Sequence, residues 1–113
     1  MISKLMAKRK SRADASALLE ATEFSWRIVG DMNFASAPAL LSQGRNLLQF
    51  GGDLSIDMGG VDHADSAGLA LLLEWLDLSR SSKGNIRFKN IPEALMDIAR
   101  VSNVYDMLSI ETS

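Results

Sequence analysis

From Phe24 to Ile28 apolar and polar residues alternate, which puts Phe24, Trp26 and Ile28 on one side of an extended segment. Gly30-Asp31 is a turn signal after it, and Met32-Asn33-Phe34 can form the second arm of a hairpin. The period then changes. Ser36 is placed to cap a helix with Pro38 in its first turn, and Leu40, Leu41, Leu47 and Leu48 share one face until Gly51-Gly52 ends it. Leu54, Ile56 and Met58 alternate with Ser55 and Asp57 as a strand that closes on Gly59-Gly60. A short acidic turn leads into a helix from Ser66 to about Ser82, stopped by Gly84. Ile86 to Lys89 alternates again, Pro92 opens a helix with Leu95, Ile98 and Ala99 inward, and Val104 to Ile110 predicts a short helix or a last strand.

This order (strand, strand, helix, strand, helix, strand, helix) predicts an α/β domain. Its strand–helix–strand units run through residues 36–50 and 66–82, and such units make right-handed parallel crossovers. The result is a mixed four- to five-stranded sheet with helices mainly on one face. The other face then has to be shielded by polar residues, by the N-terminal extension or by a partner. Residues 1–22 read as that extension, within which Ala13–Ala21 can form a short helix, and residues 23–113 read as one domain.

The helix from Ser66 carries more apolar surface than a half-buried helix needs. At about 100° per residue, Leu69, Leu72, Leu73 and Leu76 form one stripe, the side facing the sheet. Ala67, Leu71, Trp75 and Leu78 form a second stripe roughly opposite, with Ala70, Glu74, Asp77 and Ser81 as a polar sector between. The second stripe calls for a neighbour, either another helix of the same domain or a different protein. In the latter case Leu71 and Trp75 would be partner-binding residues, Trp75 as the aromatic anchor.

Composition narrows the chemistry. With 113 residues, 47% hydrophobic and 23% charged, the chain suits one globular domain. It has no cysteine, which excludes disulfides, thiolate metal sites and a cysteine nucleophile. The net charge of −2 conceals a division. Lys4, Lys8, Arg9, Lys10 and Arg12 give the first twelve residues +5 with no acid. The remaining 101 residues hold seven of the twelve basic side chains and all fourteen acidic ones, a balance of −7. An acidic body argues against nucleic acid, while the arm suits anionic lipid or an acidic partner if it is more than a solvated terminus. The longest uninterrupted apolar run, Leu69 to Leu73, falls short of the roughly 20 residues of a membrane span. The N-terminus also lacks the apolar stretch of a signal peptide. A cytoplasmic location is the expectation.

The richest chemistry lies between Asp57 and Gly68. Asp65 reads as the helix cap, accepting from the Gly68 N–H, and Ser66 follows as an exposed hydroxyl where N–H groups and the helix dipole favour negative charge. Asp62, His63, Asp65 and Ser66 are the candidate contacts for a partner, and Ser66 the candidate site of phosphorylation. Asp57, Asp62 and Asp65 with His63 could be mistaken for a metal site, but nothing in their spacing makes several oxygens converge. A hydrolase built on Asp57, His63 and Ser66 would need a base–nucleophile hydrogen bond inside one tight turn. No metal, cofactor or catalytic residue is therefore expected.

The run from Ile56 through Val61-Asp62-His63-Ala64-Asp65-Ser66-Ala67-Gly68-Leu69 resembles the STAS domain (sulfate transporter and anti-sigma factor antagonist) in its Asp-Ser-x-Gly-Leu helix start after a strand. The resemblance spans about residues 24–108 in element order. More narrowly, Gly68–Leu73, Leu76-Asp77-Leu78 and Asn85–Ile91 are similar to the STAS subunit of the bacterial Mla phospholipid ABC transporter. That resemblance implies a non-enzymatic subunit, peripheral to the inner membrane, that binds and regulates the ATPase in a complex with a permease and serves outer-membrane lipid asymmetry in a Gram-negative envelope. The alternative it implies is an anti-sigma factor antagonist in a partner-switching pathway, phosphorylated by a kinase at the position that Ser66 matches.

Overall fold

The computed structural model describes residues 17–22, 24–108 and 110. Within them the elements are β1 (Ala17–Ala21), β2 (Ser25–Met32), α1 (Ala37–Leu48), β3 (Gly52–Ala64), α2 (Ser66–Ser81), β4 (Gly84–Lys89) and α3 (Glu93–Val101), followed by a 3-10 turn over Tyr105–Met107. The strands form one sheet in the order β1-β2-β3-β4. β1 runs antiparallel to β2, while β2, β3 and β4 are mutually parallel, so α1 and α2 are the crossovers. The element order agrees with the sequence pattern, and the mixed four-stranded sheet has the expected class. Ile110 adds one parallel bridge beside Phe88, so the tail contributes both a helical turn and a trace of strand.

The first hairpin sits earlier than expected. Its turn is at Thr22–Ser25, where the Thr22 N–H and hydroxyl both donate to the Ser25 carbonyl (2.8 and 3.0 Å). β2 runs straight through Gly30-Asp31 instead of reversing there. Part of the segment read as a helical extension is thus the edge strand β1, and Ala13–Ser16 lie outside the described residues. Helix propensity in Ala-Leu-Leu-Glu-Ala yields to tertiary context, because Leu19 and Ala21 face Ile28 and Trp26 and bury with them.

β3 likewise continues through Gly59-Gly60 to Ala64, and the residues expected as an acidic turn are strand. The glycines serve a bulge instead of a stop. Arg27 pairs Asp57 and Val29 pairs Gly60; Gly30 pairs Val61 and Asp31 pairs His63. At each of these steps β3 holds one residue more than β2, an extra residue that bends and twists the strand. Space is tight at Gly60, where a Cβ would lie 3.0 Å from the Ile28 carbonyl oxygen and 3.1 Å from Arg27 Nη2.

One face of the sheet carries the core. Leu19, Trp26, Ile28, Met32, Ile56, Met58, Ile86 and Phe88 are buried beneath Leu40, Leu48, Leu69, Leu72, Leu76, Leu95 and Ala99 of the helices. The neighbour of the second α2 stripe is α1. Leu71 and Trp75 are 3% and 0% exposed, and Trp75 meets Trp26 edge to face with centroids 5.3 Å apart. Trp75 also lies against Gly44, where a Cβ would collide with its indole Nε1 and Cε2. Partner contact through Leu71 and Trp75 is therefore corrected: both stripes are spent inside the domain.

The opposite face carries a charged row beside the half-buried pair Leu18 and Val29. Glu20, Arg27, Asp57 and Lys89 stand in one register row across all four strands, an alternation of negative and positive charge. Opposite-charge neighbours of this kind contribute roughly 0.2–1 kcal/mol each. Asp57 anchors the row: the Asn90 side-chain amide and the Gly59 N–H donate to its Oδ1 (3.0 and 2.8 Å). Those bonds, with smaller help from Arg27 and Lys89, hold its carboxyl below the ordinary value against a modest opposing effect of burial.

Two outcomes follow. Gly44→Ala should lower stability by about 1–3 kcal/mol in urea unfolding through overpacking against Trp75, although the same change at an open helical site would stabilise by up to about 1 kcal/mol. Asn90 has φ 58°, so Asn90→Gly removes the amide without straining the backbone. Asp57 should then titrate closer to its ordinary value in carbon-detected NMR. Because the folded group is depressed, its contribution is present above the unfolded value of about 3.9 and disappears as pH falls through the folded one. The stability gap between wild type and variant should accordingly be larger at pH 7 than at pH 3.

Candidate functional site

Three parallel strands deliver their C-terminal ends to one edge of the sheet. There the segments after β2 (33–36) and β3 (65) come together; β4 ends lower, with Lys89 opposite Asp57, and α3 approaches through Leu95 beside Gly68. Both crossovers step the same way across the sheet, so the strand order never reverses and no crevice of the nucleotide-binding kind opens. The edge is a rim of loops, suited to contact with another surface.

The loop after β2 is braced from within. Asn33 Oδ1 accepts the N–H groups of Ala35 and Ser36 (2.9 and 3.0 Å). The Ser36 hydroxyl donates to the Asp31 carbonyl at 2.8 Å and accepts from the Asn33 N–H at 3.0 Å. Ser36 does precede α1, as expected, but its hydroxyl faces the loop and makes no cap bond. This bracing replaces the expected hairpin arm and leaves Phe34 77% exposed on the rim. The Asp65 N–H donates to the Met32 carbonyl at 3.2 Å, which ties this loop to the start of α2.

At that start Asp65 is the N-cap, in extended conformation. Its Oδ1 accepts from Ala67 N–H at 2.9 Å, not from Gly68 as the spacing suggested. The Gly68 N–H is already bound by the Asp65 carbonyl at 2.9 Å, which closes the first turn. Gly68 is buried, and a Cβ there would lie 3.3 Å from Met32 Cβ and 3.6 Å from Leu95 Cδ2. Its small size seats the helix between β2 and α3. Ser66 is exposed, and its hydroxyl has no hydrogen-bond partner among the described residues.

The second bulge sets out the neighbouring charges. Asp62 is the unpaired extra residue of β3 and is exposed, while His63 faces Asp31 across the strands with Nδ1 3.2 Å from its Oδ1. Segments 30–36, 61–68 and 90–97 contain Asp31, Asp62, Asp65, Glu93 and Asp97 but no lysine or arginine. Asp62 and His63, at the end of a strand and not in a turn, thus lie beside Asp65 and Ser66 on the rim. Phe34 and Glu93 join them unforeseen; the Asn33 and Ser36 pair of turn-forming side chains was the signal for Phe34.

The other sequence candidates lie elsewhere. Asp57 pairs with Arg27, five residues before the Met32 that pairs with Ala64, roughly 17 Å away at strand rise, and its carboxylate is engaged by Asn90 and Gly59. His63 is directed to Asp31, so Asp57, His63 and Ser66 form no proton relay. Among the described residues no group of three or more metal-ligating side chains converges, and no helix is long and apolar enough to cross a membrane.

Known proteins agree with this geometry. A family model described as "Mlab, STAS domain" matches residues 13–109. An anti-sigma-B factor antagonist of Bacillus subtilis is 26% identical over 83 residues, covering 74% of this chain and 76% of its own. The fold is similar to that of the anti-sigma factor antagonist SpoIIAA in its unphosphorylated form (TM-score 0.65, 16% identity, 86% of this chain and 89% of that one). It is also similar to an anti-sigma factor antagonist from Mycobacterium paratuberculosis (TM-score 0.67, 16% identity, 93% and 92% covered). A putative one from Thermotoga maritima gives a TM-score of 0.68 at 15% identity, with 84% and 85% covered. These findings correct the transporter reading. Although the family description carries the Mlab name, each of these four proteins is named an anti-sigma factor antagonist, or a putative one. The ABC ATPase partner, phospholipid transport and the place beside the inner membrane fall with that reading. A model match over most of the chain, a sheet with helices on one face and a rim built on Asp65-Ser66-x-Gly68-Leu69 make one family: the chain belongs to the STAS domain family.

Proposed function

We propose that this chain is an anti-sigma factor antagonist of a partner-switching pathway, a non-enzymatic cytoplasmic protein whose Ser66 hydroxyl is phosphorylated by a partner kinase. The observation that carries this reading is the hydroxyl itself. It is exposed, without a hydrogen-bond partner among the described residues, and held at the first position of a sixteen-residue helix on a braced rim. The names of the relatives point the same way.

The switch is electrostatic. In the unmodified state the partner rests on the rim, with Phe34 as apolar anchor and Asp62, His63, Asp65 and Ser66 as polar contacts. Aromatic anchors of this kind concentrate interface energy. Phosphorylation adds about −1.5 to −2 charges beside Asp62 and Asp65, in a rim without a lysine or arginine. First-turn N–H groups of α2 attract the phosphate, but the Ala67 N–H is already taken by Asp65. A partner seated against the neutral hydroxyl then meets a repulsive surface and leaves.

Mass spectrometry of the protein isolated from its own cells should find one phosphate per chain, on Ser66. Ser66→Asp should weaken binding of the cognate anti-sigma factor at least tenfold, about 1.4 kcal/mol, and Phe34→Ala should cost more than about 1 kcal/mol. Phosphate confined to another residue, or full binding by Ser66→Asp, would refute the proposal.

A further inference from the structure

The buried side chains of α1, α2 and α3 meet one face of the sheet, whereas Glu20, Arg27 and Arg87 on the other are exposed. The charges of that open face have an order. Glu20 pairs with Arg27, Arg27 with Asp57 and Asp57 with Lys89, so the row alternates from negative at β1 to positive at β4. Such a row is its own complement when reversed. Consider two copies with their open faces together and a two-fold axis parallel to the strands, midway between β2 and β3. β1 of one copy then lies opposite β4 of the other, and β2 opposite β3. Glu20 faces Lys89 of the second copy and Arg27 faces its Asp57, each pairing made twice. An axis running along the row would instead set every charge against its like, which is strongly unfavourable.

We infer that the open sheet face pairs with the same face of a second copy about a two-fold axis parallel to the strands. The uncharged positions fit the same axis. One row nearer the rim, Leu18 pairs with Val29 and Val29 with Gly60, and both apolar side chains are half-buried. A Cβ at Gly60 would lie 3.2 Å from Val29 Cγ2, so the position opens onto this face. Val29 stands opposite Gly60 of the second copy, an apolar branch over a site without a side chain. In the row on the other side, Ser25, Ser55 and Arg87 are in register, and Arg87 stands opposite the uncharged Thr22. Asn90 and Gly59 hold Asp57 through Oδ1, and Oδ2 can accept from the guanidinium of the second copy's Arg27.

Facing sheets pack about 10 Å apart, a gap that arginine, lysine and glutamate side chains fill. Four strands about 4.8 Å apart and five residues long make a flat patch of roughly 320 Å² per copy. A standard interface takes about 800 Å² from each partner. The dimer is therefore weak, dependent on concentration and sensitive to salt. Both rims lie at its same end, because the axis keeps strand direction, and neither Ser66 turn enters the interface.

Sedimentation equilibrium of the full chain at low ionic strength should show monomer and dimer in exchange, shifting to monomer in 1 M salt, where the screening length is about 3 Å. Glu20→Lys sets a lysine against Lys89 of the second copy, and Lys89→Glu sets a glutamate against Glu20. Each variant alone should dimerise at least about tenfold more weakly. Mixed in equal amounts, the two variants regain opposite charges at both outer pairs, and association should return close to the wild-type level. A defect within one chain would not be repaired by mixing. A second measurement decides the matter if either reversal fails to fold. The chain has no cysteine, so Glu20→Cys and Lys89→Cys each supply a single thiol. A short bismaleimide should join position 20 to position 89 in the mixture and scarcely join either variant to itself, since like positions stand more than about 15 Å apart across the axis. A wild-type chain that stays monomeric at millimolar concentration would overturn the inference, whatever else covers the face. So would a mixture that associates no better than the single variants, or crosslinks confined to like positions. None of these failures bears on Ser66, whose rim takes no part in the pairing.

Discussion

Trp75 occupies the seam where α1, α2 and the sheet meet, packed edge to face with Trp26 and with its indole nitrogen against Gly44. Truncation of a buried tryptophan costs about 3–5 kcal/mol, and an aromatic pair adds about 0.5–1.5 kcal/mol beyond burial. Against this stands Nε1, which is buried without a hydrogen-bond partner at a cost of about 1–3 kcal/mol. The balance favours packing, and it holds only while residue 44 lacks a side chain. Gly44 is therefore kept despite its penalty in a helix interior. The contact sets how α2 lies on the sheet, and so where its first turn and Ser66 emerge.

Rigidity beneath the rim comes from small residues and local hydrogen bonds. The two bulges of β3 lengthen that strand against β2, so that Asp62 projects while His63 faces Asp31. Gly68 brings the helix start down onto Met32 and Leu95, and Asn33 with Ser36 keeps Phe34 outward. On the far side of the sheet the row Glu20-Arg27-Asp57-Lys89 neutralises its own charge. The exposed hydroxyl of Ser66 and the exposed Phe34 stand at the strand ends instead.

Much of this was legible in the residues, and the misses share a cause. Element order, the sheet class, α2, β4 and α3 follow from periodicity and capping signals, which are local. The misplacements concern information held in a second strand. Gly30-Asp31 and Gly59-Gly60 look like turns until the register shows glycine accommodating a bulge beside Ile28. Ala17–Ala21 looks helical until Ile28 and Trp26 face it. The second stripe of α2 was correctly seen as needing a neighbour, but only the packing of Gly44 identifies α1 as that neighbour. Phe34 was overlooked because a hairpin arm assigned it to the sheet. The broad family was legible from one motif, whereas its branch was not; the leucine-rich helix that suggested a transporter subunit is accounted for by burial within the fold.

Hydrogen exchange of the full chain, alone and bound to the anti-sigma factor recovered from the same cells, tests the central claim most directly, because it reads which backbone the partner covers. Protection is predicted over 33–36 and 61–69, with the exposed face of β4 and the C-terminal half of α3 unchanged. Protection confined to the polar sheet face or to the far end of α1, with the Ser66 turn exchanging as in the free protein, would contradict the account.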